Sequence, residues 1–247
     1  MRLAVVSDVH GSLEALEAVA RDIERSGVDE VVHGGDLVLM GPQPAEAIER
    51  IRELGWRGVV GNTDEVLWRP EEHARQLRKR PKLRPLLDLM FEEWAPATRE
   101  LLGDERVRFL SELPATLEVA GTLLMHASPD DLWRAPQPDA SDDELNATYG
   151  ETGAGSIVYG HIHRPYTRDT GTLAVGNSGS AGFTWDGDPR ASYLLVESGR
   201  MDVVRVEYDA EADARRLIEM SYPDAERLAE IRRRGRLLPV PPRGGDG

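Results

Sequence analysis

Five short polar segments in this chain each stand at the end of an apolar run. Residues 3–7 lead into Asp8-Val9-His10, 28–33 into Gly35-Asp36, 57–60 into Gly61-Asn62, 122–126 close on His126, and 156–159 lead into Gly160-His161-Ile162-His163. Short apolar runs bounded by turn signals read as buried strands. In open parallel sheets, ligand sites lie outside the carboxyl ends of the strands. The pattern therefore constrains the chain to a fold whose strand ends carry two carboxylates, one amide and four imidazoles to one place.

The rest of the chain fills in around these strands. Ser12 is placed to cap a helix with Leu13, Leu16, Val19, Ala20 and Ile23 on one face, and Gly27 to stop it. Residues 44–54 read as a second helix ended by Gly55. Residues 68–108 hold helix formers and no strand pattern, and they read as a helical insertion or cap too short for a core of its own. The second half reads as antiparallel, with strands at 116–120 and 122–126, 166–170 and 172–175, and 192–197 and 201–208, the last pair joined by Ser198-Gly199. Helices follow at 210–220 and 224–234. The reading gives one domain over residues 1–238 and a Pro- and Gly-rich disordered tail over 239–247.

Carboxylate oxygen and imidazole nitrogen together suit a borderline divalent cation such as Mn, Fe, Ni or Zn. A lone strand-end His is usually packed or solvated, but four of the six histidines fall inside these segments. Two adjacent cations would lower the pKa of a shared water and clamp the oxygens of an in-line displacement at phosphorus. The five segments resemble the D-x-H, G-D, G-N-[HTC]-[DE], H and G-H-x-H motifs of the calcineurin-like metallophosphoesterase superfamily. Stretches at 126–129 and 176–193 are similar to its small bacterial phosphodiesterase or diadenosine tetraphosphatase-like branch. The resemblance covers about residues 1–208 and implies an α/β fold, a four-layer α/β/β/α sandwich.

Carried onto this sequence, the resemblance implies one cation held by Asp8, His10, Asp36 and His163. A second would be held by Asp36, Asn62, His126 and His161, with Asp36 bridging. It implies a phosphoesterase using two divalent metal ions, Mn foremost, with Asp36, Asn62, Thr63 and Asp64 in the catalytic group. One position departs from the pattern: most active members carry a His after Gly-Asn, and here Thr63 stands there, followed by Asp64. Threonine is too weak an acid to protonate a leaving oxygen. Either another group supplies the proton, His73 being the first candidate, or the substrate's leaving group needs little protonation.

The basic run Arg75, Arg78, Lys79, Arg80, Lys82 and Arg84 reads first as a solvated helix face, with Arg78 and Arg80 as candidate substrate contacts beside Asn62. His33 reads as a packed strand residue. A net charge of −14 disfavours a nucleic-acid partner, which needs a basic footprint, and suits a small phosphorylated substrate drawn to a local cationic site. The absence of cysteine excludes disulfides and thiolate ligands. No apolar stretch approaches the ~20 residues of a membrane span, and the first strand runs straight into Asp8, so a cytoplasmic protein without leader or membrane partner is expected. Alternatives left open are a dinucleoside polyphosphate hydrolase, a non-catalytic scaffold of the same fold, and assembly as a homo-oligomer.

Overall fold

The structure, a computed structural model, describes residues 1–240. Of the tail read as disordered, residues 241–247 lie outside the described residues. The strands are β1 (Arg2–Val6), β2 (Glu30–His33), β3 (Arg57–Gly58), β4 (Thr116–Val119), β5 (Thr122–Met125), β6 (Ser156–Tyr159), β7 (Tyr166–Asp169), β8 (Ala174–Asn177), β9 (Ala191–Glu197) and β10 (Arg200–Val206). They form two five-stranded sheets, β10-β9-β1-β2-β3 and β4-β5-β6-β8-β7.

Alternation along the strands explains why the two sheets pack. Leu3 and Val5 of β1 join Val32, Leu124, Val158 and Leu194 in the layer between the sheets. Ala4 and Val6 face the other way, into a cluster with α1 (Leu13–Ser26), α2 (Pro44–Glu53) and later helices. On the second sheet, Ile157 and Tyr159 point outward and pack against Leu145 and Tyr149. Side chains of period two thus feed two cores from each central strand, and four layers result. Helix α1 begins and ends as its sequence requires: the Ser12 side chain accepts from Ala15 N, and Gly27 takes a left-handed φ of 66°.

The second half is not antiparallel throughout. Pairs β4–β5 and β7–β8 are antiparallel, but β5–β6 and β6–β8 are parallel. Parallel pairing needs a long crossover, and the segment between β5 and β6 supplies one. The third strand is shorter than 57–60, because after Val59 N bonds to His33 O the chain leaves β2 and Val60 N turns to Pro114 O. The strand expected at 172–175 starts at Ala174, since Gly171 at φ 84° occupies the turn.

Helix α3 (Asn62–Glu65) opens the segment after β3, followed by α4 (Glu71–Lys79), a 3-10 turn at Pro81–Leu83, α5 (Arg84–Leu89), a π turn at Met90–Trp94 and α6 (Ala95–Ser111). Helix α7 (Asp142–Tyr149) lies in the crossover. Helices α8 (Ala210–Glu219) and α9 (Ala225–Arg234) pack on the first sheet's helical side through Leu217, Leu228 and Ile231. No helix among the described residues is long and apolar enough to cross a membrane.

Candidate metal centre

The polar segments after β1, β2, β3, β5 and β6 converge at one edge of the sandwich. Asp8, His10, Asp36, Asn62, His126 and His163 are buried, and His161 is half-buried. Asp8, His10, Asp36 and His163 place ligand atoms within 4.8 Å of one another. The His10 and His163 Nε2 atoms stand 3.3 Å apart, and His163 Nε2 lies 3.0 Å from Asp8 Oδ1. Beside this group, Asn62 Oδ1 lies 3.0 Å from His126 Nε2 and 2.8 Å from His161 Nδ1. Asp36 stands between the two groups, with Oδ2 3.8 Å from His10 Nε2 and 3.4 Å from His126 Nε2.

Which way the imidazoles face is set by backbone carbonyls. Nδ1 of His10 donates to Leu39 O at 2.9 Å, Nδ1 of His126 to Gly34 O at 2.8 Å, and Nδ1 of His163 to Phe183 O. A carbonyl only accepts, so in each neutral ring the proton sits on Nδ1 and the Nε2 lone pair points inward. In the neutral rings the Nε2 atoms of His10, His126 and His163 therefore meet the Asp8 and Asp36 carboxylates acceptor to acceptor, although Asp8 also accepts from Ser7 Oγ and His161 N and Asp36 from Thr63 N. Such an arrangement fits a divalent cation and is unfavourable without one.

The electrostatics carry the same strain. Burial pushes His10 and His161 down to about 4, helped by the neighbouring His163 and His126 respectively. Burial works against ionisation of Asp8 and Asp36, yet the surrounding histidines hold both below the ordinary carboxylate range. His126 is also opposed by burial, but the Asp36 carboxylate outweighs it and pushes it up to about 9. The backbone is strained in parallel. Asp8, His10, Asp36, His161 and His163 all have positive φ, between 47° and 68°. Left-handed non-Gly residues cost about 1–3 kcal/mol each and persist where the surroundings over-determine them, often at functional sites.

Close approach explains two motif glycines. A Cβ at Gly61 would strike the Asp36 carboxylate and backbone N, and one at Gly160 would strike Ser7 Oγ and Asp8 Oδ2. Asp64 does not face the cluster. Its carboxylate accepts from Asp36 N at 2.8 Å, Leu37 N at 2.8 Å and Gly61 N at 3.1 Å, tying two ligand loops together. Burial, with the Asp36 charge, raises Asp64 to about 7. Thr63 N donates to Asp36 Oδ1 at 2.8 Å, while Thr63 Oγ1 is buried without a partner among the described residues.

Above the cluster opens a cavity of about 360 Å³ that Asn62, Thr63 and Arg80 help to line. Arg80 is held there by Asp131 at 3.1 Å and Trp133 O at 3.2 Å, and Arg78 lies outside the lining. His73 also lies outside it, bonded to Asp88 at 2.8 Å and stacked on Phe91. His33 is buried with neither ring nitrogen paired among the described residues.

Two contributors were not legible as site residues. Trp185 stacks on His163 with centroids 3.8 Å apart and planes at 17°. Arg232, fully buried on α9, donates to His10 O at 3.2 Å and Met40 O at 2.8 Å. Arginine within a helix's last turn is the only sequence signal it carries, and that signal normally means solvent.

A family model described as the calcineurin-like phosphoesterase superfamily domain matches residues 1–201. Among curated proteins, the chain is 31% identical over 254 residues to the uncharacterized protein MJ0912 of Methanocaldococcus jannaschii, covering 92% of this chain and 96% of that one. It is 28% identical over 214 residues to phosphodiesterase YfcE of Escherichia coli, covering 83% and 91%. Among solved structures, a metallophosphoesterase from Sphaerobacter thermophilus superposes with a TM-score of 0.75 at 25% identity, over 95% of this chain and 100% of that one. Hypothetical protein PH1004 from Pyrococcus horikoshii shares the fold, with a TM-score of 0.79 at 22% identity over 96% and 99%.

Proposed function

The chain belongs to the calcineurin-like phosphoesterase superfamily, and from that premise we propose that it hydrolyses a phosphodiester or small organic phosphate with two divalent cations. Asp8, His10, Asp36 and His163 would hold one, and Asp36, Asn62, His126 and His161 the other. The observation that carries this reading is that Nδ1 of His10, His126 and His163 is turned to backbone carbonyls, so that each Nε2 points inward at Asp8, Asp36 and Asn62. Two bound cations supply Lewis-acid charge and bring the pKa of water towards neutrality. The relationship to phosphodiesterase YfcE supports a diester as the substrate class, and we expect Mn foremost among Mn, Fe, Ni and Zn, all of which suit mixed N/O donors.

The chain's own side chains have separable tasks. Asp36, with Oδ2 3.8 Å from His10 Nε2 and 3.4 Å from His126 Nε2, would serve both cations and offset charge on each. Asp64 fixes the loops that carry Asp36 and Asn62, so its part is positioning. To Thr63, which lines the cavity and whose Oγ1 has no partner among the described residues, we assign donation to a phosphate oxygen. Trp185 covers the His163 ring and keeps water from that side. We expect the protein to act in the cytoplasm on a small phosphorylated substrate.

Metal analysis after Mn²⁺ loading, paired with a panel of phosphomonoesters, phosphodiesters and dinucleoside polyphosphates, tests the reading. Two equivalents of metal and turnover of at least one diester are expected. Less than one equivalent with no turnover would instead favour a non-catalytic scaffold. Asp36→Asn should lower both bound metal and turnover, the latter by more than the roughly 10–100-fold typical of losing a ligand's outer partner.

A further inference from the structure

The cavity above the metal cluster has a polar floor and hydrocarbon walls of separate origin. Its 360 Å³ lies within the roughly 300–1,000 Å³ of small-molecule sites. One wall is built by the inserted helices, through Leu83, Leu86 and Met90. Further apolar lining comes from α9 and the segment after it, through Leu228, Ile231 and Leu237, beyond the end of the family match at residue 201. Trp133 and Trp185 complete the enclosure. Two segments distant in sequence thus converge to surround the metal floor with apolar surface.

Three further observations narrow the occupant. Leu83 and Leu237, from the two wall segments, remain 45% and 42% exposed. Single exposed leucines are ordinary, but these two line the same cavity together with buried apolar side chains. The wall cations are already engaged, Arg80 by Asp131 at 3.1 Å and Arg227 by Asp224. Arg164, exposed next to His163, has no acidic partner among the described residues and is left for a single phosphate group. Neutral groups that could read a base edge are few, the amides of Asn62 and Gln137 with Thr63 Oγ1 and Trp185 Nε1, and the last two are buried.

We propose that the substrate group held in this cavity is a bulky apolar moiety, aryl or branched aliphatic, rather than a nucleoside or a second phosphate. The proposal rests on the phosphoesterase reading and deepens it by naming a substrate class. An apolar group there removes hydrocarbon surface from water on both partners, while the metal floor and Arg164 receive the phosphate.

Esters with a constant nitrophenyl leaving group and a methyl, phenyl or 1-naphthyl second group test it. Relative to methyl, the naphthyl ester should gain about 10–100-fold in kcat/KM, chiefly through KM, as expected for burying one ring system. The double variant Leu83→Ser/Leu237→Ser should narrow that ratio towards one. Titration calorimetry of metal-free protein with 1-naphthyl methyl phosphate gives a readout independent of turnover, and it should detect binding that dimethyl phosphate does not show. Naphthyl binding with no turnover of any ester would support the cavity assignment and remove the phosphoesterase reading instead. Equal kcat/KM for methyl and naphthyl esters, or tighter binding of a dinucleoside phosphate, would overturn the proposal. So would naphthyl binding that emerges only after deletion of residues 241–247, which would assign the cavity to the chain's own C-terminal segment.

Discussion

A histidine pressed against a carboxylate keeps a proton that an arriving cation must displace. His126, opposed by burial but pushed up to about 9 by Asp36, holds that proton at neutral pH, while His10 and His161, pushed down to about 4, are already free to ligate. Metal uptake near pH 7 should therefore release about one proton, and apparent affinity should rise roughly tenfold per pH unit from 6.5 to about 9. In the same window the metal-free protein should lose stability, because a histidine raised above its unfolded value of 6.5 stabilises the fold only while protonated. Calorimetric titration in two buffers of different ionisation heat measures the proton directly, and identical heats would remove His126 from the linkage. Thr63 sets a second expectation. Its hydroxyl is unpaired at the cavity and cannot act as an acid, so a nitrophenyl diester should be cleaved well and an alkyl monoester more slowly by roughly 10²–10⁴-fold, the usual worth of general acid catalysis. Thr63→His should accelerate the alkyl ester more than the nitrophenyl one. Equal wild-type rates on both would show that another group supplies the proton; His73, paired to Asp88 outside the cavity lining, would have to move to do so.

At the scale of elements, α9 does more than cover the sheet. Its Arg232 is buried opposite Asp213 of α8, with Nε 3.8 Å from Oδ2, and Ser12 Oγ donates to the same carboxylate. The guanidinium also lies over Phe183, 4.8 Å from the ring centre, and braces the carbonyls of His10 and Met40. Arg232→Met should therefore cost about 3–5 kcal/mol by leaving Asp213 uncompensated, and adding Asp213→Leu should recover most of it. Denaturant melts of both variants decide this, and a single variant within about 0.5 kcal/mol of wild type would show that the pair carries no weight. The strand ends and the first helices could be read from the sequence because each depends on local signals: apolar runs, Ser12 as cap and Gly27 as stop. Arg232 could not, since its partners His10 and Met40 lie about two hundred residues away and only packing brings them together. The mixed second sheet was missed for a related reason. Alternation along β5 and β6 reports which faces are buried, but strand direction depends on where the crossover through α7 re-enters. The cavity walls were equally hidden, because Leu228 and Ile231 look in sequence like any amphipathic stripe.

Across the whole molecule, the donor cluster is also the seam between the two sheets. Asp8, His10, Asp36 and Asn62 follow strands of the first sheet, and His126, His161 and His163 follow strands of the second. Without cations, their inward acceptors and strained backbones oppose closure of the sandwich at that edge. Metal binding should therefore stabilise the fold as a unit rather than one loop. A ligand present at about 100 times its Kd adds about 2.7 kcal/mol to stability, and for 150–250 residues each 1 kcal/mol shifts Tm by about 2–4 °C. Loading with Mn²⁺ should accordingly raise Tm by about 5–11 °C over the chelated protein, in a single cooperative transition followed by both far-ultraviolet dichroism and tryptophan fluorescence. Asp36→Asn should lose most of that increment, since it removes the carboxylate shared by both donor groups. A Tm unmoved by complete metal removal, verified by elemental analysis, would mean that the acceptor cluster is held together by the protein alone and that the seam does not depend on cations.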